Sequence, residues 1–165
     1  MLIRRLSAEA TAPGALDEVV GSPRPLGLRP GEPRYSLLRE TWFDTREGTL
    51  NSRGLALCLR MEADGSQIVE LTRTLSVSLG GIAHLTILAT PVVRGGVYAT
   101  LRGDSELATT VRDVVDPAAL RPVAALDIDR ETRELRRGVW GKAVCTSRFD
   151  RVLAHHGACT RGLTV

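Results

Sequence analysis

Strand-like segments follow one another along most of this sequence, and their order limits the folds that the chain can adopt. Residues 35–43, 55–63 and 67–77 each combine apolar, β-branched or aromatic residues with the alternation that is typical of strands. Asp64 and Gly65 lie between the second and third segments, and an Asp-Gly pair favours a tight hairpin turn. Parallel strands need a long crossover connection, whereas strands joined by turns pair antiparallel. The sequence therefore predicts an antiparallel sheet.

The remaining elements point to an α+β fold. They are helices over 13–21 and 104–115, strands over 82–93, 121–138 and 140–157, and a candidate short strand over 2–7. The helix over 104–115 has the clearest apolar stripe, and Ser105 or Asp104 is a suitable N-cap. The pattern gives six or seven strands and two or three helices. We expect one domain over residues 1–165, since this length is sufficient to bury a core.

The composition excludes several classes of protein. Hydrophobic residues make up 43% and charged residues 25% of the chain, which argues against disorder. The net charge is only +3 and acidic residues are interspersed with the basic ones, so no specific nucleic-acid partner is expected. Lys142 is the only lysine, and arginine, with its planar fork, supplies the remaining positive charge.

The sequence also predicts a cytoplasmic location. Three cysteines, Cys58, Cys145 and Cys159, do not form a disulfide framework, and no secretory signal or membrane-spanning stretch is present in the sequence. Cys58 and Cys145 lie in apolar strand patterns and are predicted to be small core residues. His155 and His156 with Cys159 form only a weak zinc pattern, and a solvated turn is the better interpretation.

Several motifs resemble those of a known family. Trp42–Thr45 reads Trp-Phe-Asp-Thr, Leu50 and Gly54 follow, and Leu57–Arg60 reads Leu-Cys-Leu-Arg. This series resembles the Tyr-Phe-Asp-Thr and Leu-Arg-x-Arg elements of the CYTH family, the triphosphate tunnel metalloenzymes. The following strand, "DGSQIVELTR", and the later segments "LRPVAALDIDRETREL" and "RFDRVLAHHG" are similar to further strands of that family. The resemblance covers most of residues 35–157.

The resemblance implies a fold and a ligand. The expected fold is α+β, with an antiparallel β-barrel or tunnel of about seven or eight strands, complete or incomplete, and two or three short helices. Inward arginines of such a tunnel bind a triphosphate-bearing small molecule, and inward glutamates hold Mg or Mn for hydrolysis. The substrate-binding residues that it implies here are Arg60, Arg73, Arg130 and Arg133.

Departures from the family pattern affect the acidic residues. The opening "MLIRRLS" lacks the two glutamates of the family's first strand. Ile87 and Ala89 occupy the places expected for a Glu-x-Glu pair, Thr146 replaces a further glutamate, and Cys58 replaces an arginine. We therefore expect triphosphate binding with weak or no hydrolysis, and neither catalytic nor metal-binding residues are assigned.

Each arginine also has a simpler interpretation. Arg60 is either a phosphate ligand or an arginine paired with Glu62 or Glu70. Arg73 turns outward if the register of its strand slips by one residue. Arg130 and Arg133 are three residues apart, so they lie on opposite faces of a strand, and only one of them is expected to face the pocket.

Some polar residues of these motifs are expected to shape the fold and not to contact a ligand. Asp44 and Thr45 follow a strand and are predicted to shape a turn. Asp150 is predicted to orient Arg148 or Arg151.

Two further functions are compatible with the sequence. One is an active hydrolase that uses Glu62, Glu70 and Asp150 as a rearranged set of acids. The second is a structural or interaction module that binds no anion. An open edge of the sheet would invite pairing with another chain, so a homo-oligomer is also conceivable.

Overall fold

A computed structural model describes residues 15–23, 27–77, 81–138, 141–156 and 159–162 of the 165-residue chain. The helices are α1 (Ala15–Gly21), α2 (Thr49–Ser52), α3 (Gly96–Arg102) and α4 (Glu106–Arg112), and a 3-10 helix spans Pro117–Ala119. The strands are β1 (Arg29–Pro30), β2 (Arg34–Asp44), β3 (Leu55–Met61), β4 (Gln67–Val77), β5 (Gly81–Pro91), β6 (Arg121–Arg136), β7 (Ala143–His156) and β8 (Cys159–Gly162).

All eight strands belong to one antiparallel sheet. Seven of them lie in the order β5-β4-β3-β2-β6-β7-β8, and the short β1 pairs with β6 beside this path. Within the described ranges no pairing joins β5 to β8, so the sheet is open there. The predicted α+β fold with an antiparallel sheet is confirmed. No helix among the described residues is both long and apolar enough to cross a membrane.

The two central helices differ in how well the sequence predicted them. Helix α4 begins where expected, because the Ser105 hydroxyl accepts a hydrogen bond from the Ala108 amide at 3.1 Å. Helix α3 was not predicted from the sequence. Strand β5 ends at Pro91, and Gly95 and Gly96, with φ angles of 104° and 84°, turn the chain directly into α3.

The hydrophobic core lies on one face of the sheet. Leu57 of β3 and Leu71 of β4 are fully buried and pack in one cluster with Leu101 of α3 and Leu107 of α4. Alternate residues of a strand point to opposite faces. The residues between these leucines, such as Cys58, therefore point to the face opposite the helices.

The turn after β2 has the geometry that the sequence predicted. Asp44 accepts hydrogen bonds from the backbone amides of Thr45, Leu50 and Asn51, at 2.7, 2.9 and 3.1 Å. The Thr45 hydroxyl accepts a hydrogen bond from the Thr49 amide at 3.0 Å. Both side chains are buried and fix the short helix α2, so their role is structural.

Candidate functional site

Arg60 lies at the end of β3 that leads into the hairpin, and two carboxylates contact it. Its Nη1 and Nη2 atoms donate to the two Glu70 oxygens at 3.0 and 2.7 Å. Its Nε atom lies 3.0 Å from a Glu62 oxygen, in ion-pair contact without a hydrogen-bonding angle. The Arg60 side chain is only 17% exposed, so this ion pair is largely shielded from solvent. Arg60 is therefore paired with both Glu70 and Glu62.

Arg130 forms the second ion pair, in the middle of β6. Its Nε and Nη2 atoms donate to the two Asp150 oxygens, both at 2.7 Å. Residues 130 and 150 are direct partners across β6 and β7. The Arg130 side chain is 9% exposed, and the hydrogen bond that it donates to Asp150 raises the pKa of Arg130. The prediction that Asp150 orients Arg148 or Arg151 missed this partner. Arg151 binds Asp17 of α1 instead, at 2.6 Å.

The register of β2 places both arginines on one face of the sheet. Glu40 pairs with Arg60 across β2 and β3, and Ser36 pairs with Arg130 across β2 and β6. Positions 36 and 40 are an even number of residues apart with no bulge between them, so their partners share a face. The charges of Glu40 and Glu62 also raise the pKa of Arg130, because both lie near it. We call the surface formed by Glu40, Arg60, Glu62, Glu70, Arg130 and Asp150 the charged face.

Cys58 lies on the charged face, and the charges of that face change the pKa of its thiol. The side chain is buried, and burial is the largest cause of the raised pKa of its thiol. The negative charges of Glu40 and Glu70 raise it further. The thiol therefore stays protonated, as expected for a small core residue. Cys145 differs from the prediction, since it is exposed on β7, away from the helices that cover β3 and β4.

The structure does not bring Arg73 and Arg133 to the charged face. Arg73 pairs with Leu55 and is exposed, on the same face as the core leucines of β4. Arg133 is three residues beyond Arg130 on β6, so it points to the opposite face and pairs with Glu131 there. Of the arginines that the resemblance implies, Arg60 and Arg130 share a face.

The carboxylates of the charged face do not form a metal site. Two of them are engaged bidentately by arginines, Glu70 by Arg60 and Asp150 by Arg130. No group of three or more potential ligands suited to a metal ion occurs among the described residues. The donor set therefore does not fit a divalent cation in this arrangement.

The positions where the sequence departs from the family pattern are divided between the two faces. Ala89 pairs with Glu70 and lies on the side of the charged face, but Ile87 packs against the hydrophobic core. A bulge between Leu71 and Thr72 accounts for this difference, because it breaks the alternation of β5 relative to β4. Thr146 is exposed and pairs with Glu134 near one end of β6.

The opposite face of β2, β6 and β7 carries its own ion pairs. Asp127 accepts hydrogen bonds from Arg39 at 2.7 Å and contacts a ring nitrogen of His155 at 2.9 Å. The hydrogen bond from Arg39 is the largest cause of the lowered pKa of Asp127. His155 thus lies in strand β7 and contacts a carboxylate, so the predicted solvated turn is wrong at this residue.

A cleft of about 770 Å³ lies beside these residues. Apolar side chains such as Leu37, Met61 and Leu153 form most of its lining. Its charged lining residues are Arg39, Glu62, Asp127, Asp129 and Arg151. A mainly apolar lining with more acids than arginines does not suit a polyanion, because the phosphate charges would lose their hydration without compensation. The cleft is therefore a poorer candidate for a phosphate site than the charged face.

One residue of the charged face was missed by sequence reasoning. Glu40 lies opposite Arg60 and interrupts the apolar pattern of β2, where Leu38 is buried on the same face. A carboxylate at an inward position of a strand was the available signal, and the period of two would have revealed it.

The comparisons with known proteins concern the fold. No protein-family model matches the chain, and no curated protein matches it. A candidate adenylate cyclase from Bacillus halodurans is 14% identical with a TM-score of 0.45, over 76% of this chain and 67% of that one. A candidate adenylyl cyclase from Hippeastrum, with a dominant triphosphatase activity, is 14% identical with a TM-score of 0.44, over 71% of this chain and 66% of that one. This chain thus spans about two thirds of each, and at this similarity neither carries a functional inference.

Proposed function

We propose that the charged face binds a triphosphate-bearing ligand, inorganic triphosphate or a nucleotide, through Arg60 and Arg130. The observation that supports this proposal most is the presence of two shielded guanidinium groups on one face of the sheet, 17% and 9% exposed. The motifs of residues 42–60 that resemble the CYTH family agree with it.

The geometry of the two ion pairs is favourable for phosphate recognition. A guanidinium group presents planar pairs of N–H donors, and these match a phosphate group as well as a carboxylate. The backbone of β3 and β6 holds the two arginines, and the carboxylate of Asp150 orients the plane of Arg130. Because Arg130 is already ordered, ligand binding there loses less side-chain entropy than it would at a free surface arginine.

We further propose that binding is not accompanied by efficient hydrolysis. The family chemistry requires carboxylates that hold a divalent cation, which offsets phosphate charge and activates water. Glu70 and Asp150 instead use both of their oxygens on arginines. In this arrangement neither carboxylate has a free oxygen pair for a divalent cation.

A thermal-shift experiment with inorganic triphosphate tests this proposal. Binding to the folded state alone raises the melting temperature, by roughly 5 °C at a ligand concentration of about 100 times Kd. Arg60→Gln is expected to abolish this increase, whereas the matched control Arg73→Gln, on the other face, leaves it unchanged. No shift with the unmodified chain would contradict the proposal.

An active triphosphatase is the second candidate function. The observation that favours it is the position of Glu62, Glu70 and Asp150, because the structure places these acids beside Arg60 and Arg130. Phosphate release from inorganic triphosphate, measured with and without Mg²⁺, decides between the two functions. Magnesium-dependent release that Glu62→Ala abolishes would favour the enzyme over the binding protein.

A further inference from the structure

We infer that Glu70 and Glu62 act as internal competitors of the ligand at Arg60, so that an anion must exchange with them to bind. This inference rests on the proposed function and adds how access to that site is controlled. It assigns the glutamates an inhibitory role, opposite to that of a metal ligand or of a residue that prepares Arg60 for the ligand.

The contacts of Arg60 carry the inference. A guanidinium group has two edges, and at each of them a pair of N–H groups can donate hydrogen bonds to an oxyanion. Glu70 occupies the Nη1–Nη2 edge, and a Glu62 oxygen lies 3.0 Å from Nε but away from the direction of its N–H bond. A carboxylate of the chain itself therefore occupies one of the edges that a phosphate group would use, and a second carboxylate lies beside the other edge.

The charges of the surroundings strengthen the competition. The six side chains that define the charged face are four carboxylates, Glu40, Glu62, Glu70 and Asp150, and two shielded arginines, Arg60 and Arg130. The register also places the exposed Arg34 and Arg148 on this face, next to Arg130. The excess of carboxylates is therefore local to Arg60, where Glu40 lies directly opposite on β2. A singly charged anion interacts with Arg60 no more favourably than the carboxylate that it displaces. A triphosphate carries several charges and can reach both arginines, so it can compensate for the exchange.

Arg130 differs from Arg60 in this respect. Asp150 binds its Nε and Nη2 atoms, which form one edge, and is the direct cross-strand partner. The Arg130 side chain is also the more buried of the two, at 9% against 17% exposed. Exchange is therefore assigned to Arg60, and Asp150 remains bound to Arg130 when the ligand binds.

Calorimetric titration of the full chain with inorganic triphosphate, without divalent cations, tests the inference. Glu70→Gln keeps the shape of the side chain and a carbonyl acceptor for Arg60, but removes the competing charge. The loss of one charge-assisted contact is expected to lower Kd about tenfold. Glu62→Gln should act in the same direction with a smaller effect, since Glu62 makes the weaker contact. Asp17→Asn, which neutralises an exposed partner of Arg151, is the matched control and should leave Kd unchanged.

The outcomes separate this inference from the proposed function. Tighter binding by Glu70→Gln than by the unmodified chain supports both. Binding that only the variant shows supports the competition by Glu70 and overturns the proposed function of the unmodified chain. Binding by the unmodified chain that weakens in both glutamine variants overturns the inference and leaves the proposed function standing. An absence of binding by the unmodified chain and by both folded variants overturns both. Circular dichroism spectra establish whether each variant is folded. If Glu70→Gln is not folded, Glu62→Gln provides the test.

Discussion

The two shielded arginines of the charged face are held in different ways. Arg130 lies in the middle of two long strands and pairs bidentately with the residue directly opposite. Arg60 lies next to the β3–β4 hairpin and contacts two glutamates. Glu70 is at the diagonal position on the neighbouring strand β4, and Glu62 is in the hairpin. The first arrangement depends on the sheet as a whole, and the second depends on a local turn. The ion pair of Arg130 is therefore suited to stabilising the sheet, and that of Arg60 is suited to exchange with a ligand.

Burial explains why the two pairs should respond differently to mutation. Removal of one partner of a buried ion pair leaves a charge without compensation, whereas a partner near solvent can be replaced by water. The Arg130 side chain is more deeply buried, and its pKa is raised chiefly by Asp150. Arg60 retains Glu62 when Glu70 is removed, so its charge never lacks a partner.

The largest effect is expected for Asp150→Ala. It leaves the guanidinium of Arg130 buried without its bidentate partner, which should lower the free energy of unfolding by about 3–5 kcal/mol. Urea denaturation measures this change. A loss no greater than that of an exposed ion pair would show that Arg130 is not buried as described.

An intermediate effect is expected for the Arg60–Glu70 pair. A double-mutant cycle with Arg60→Gln and Glu70→Gln should give a coupling energy of about 0.5–3 kcal/mol in urea denaturation, because the two side chains are in direct contact. Each single variant should cost less stability than Asp150→Ala. If Glu70→Gln were more destabilising than Asp150→Ala, the assigned difference between the two ion pairs would be reversed.

The smallest effect concerns the exposed pair on the opposite face, Arg39 and Asp127. The lowered pKa of Asp127 means that this group stabilises the fold above its unfolded pKa of about 3.9. That contribution is lost as the pH falls further, through the folded pKa. Asp127→Asn should therefore reduce stability slightly at pH 7, and the difference should vanish near pH 2. Urea midpoints at both pH values measure it, and a difference that persists at low pH would indicate another cause.

Local features of the fold were predictable from the sequence because they depend on neighbouring residues. The alternation of β3 and β4 and the turn at Asp64 and Gly65 set their pairing, and the contact between Arg60 and Glu70 follows from it. Ser105 was recognised as a helix cap for the same reason. Helix α3 was missed because it begins at two glycines, and no side-chain cap marks its start as Ser105 marks that of α4.

Contacts between distant segments could not be predicted in this way. Arg130 and Asp150 are twenty residues apart, and their pairing depends on the register between β6 and β7. The place of β2 between β3 and β6 brings Ser36 opposite Arg130 and so puts both arginines on one face. A shift of one residue in the pairing of β2 with β3, or of β2 with β6, would put Arg60 and Arg130 on opposite faces. The identity of the charged face therefore required the structure.

The most direct test of this account is an NMR titration that follows the Nε–H signals of individual arginines as inorganic triphosphate is added. The account predicts that the signals of Arg60 and Arg130 shift together, with one shared Kd, while the signal of Arg73 stays in place. Triphosphate-dependent shifts at Arg73 or Arg133 with none at Arg60 and Arg130 would contradict it.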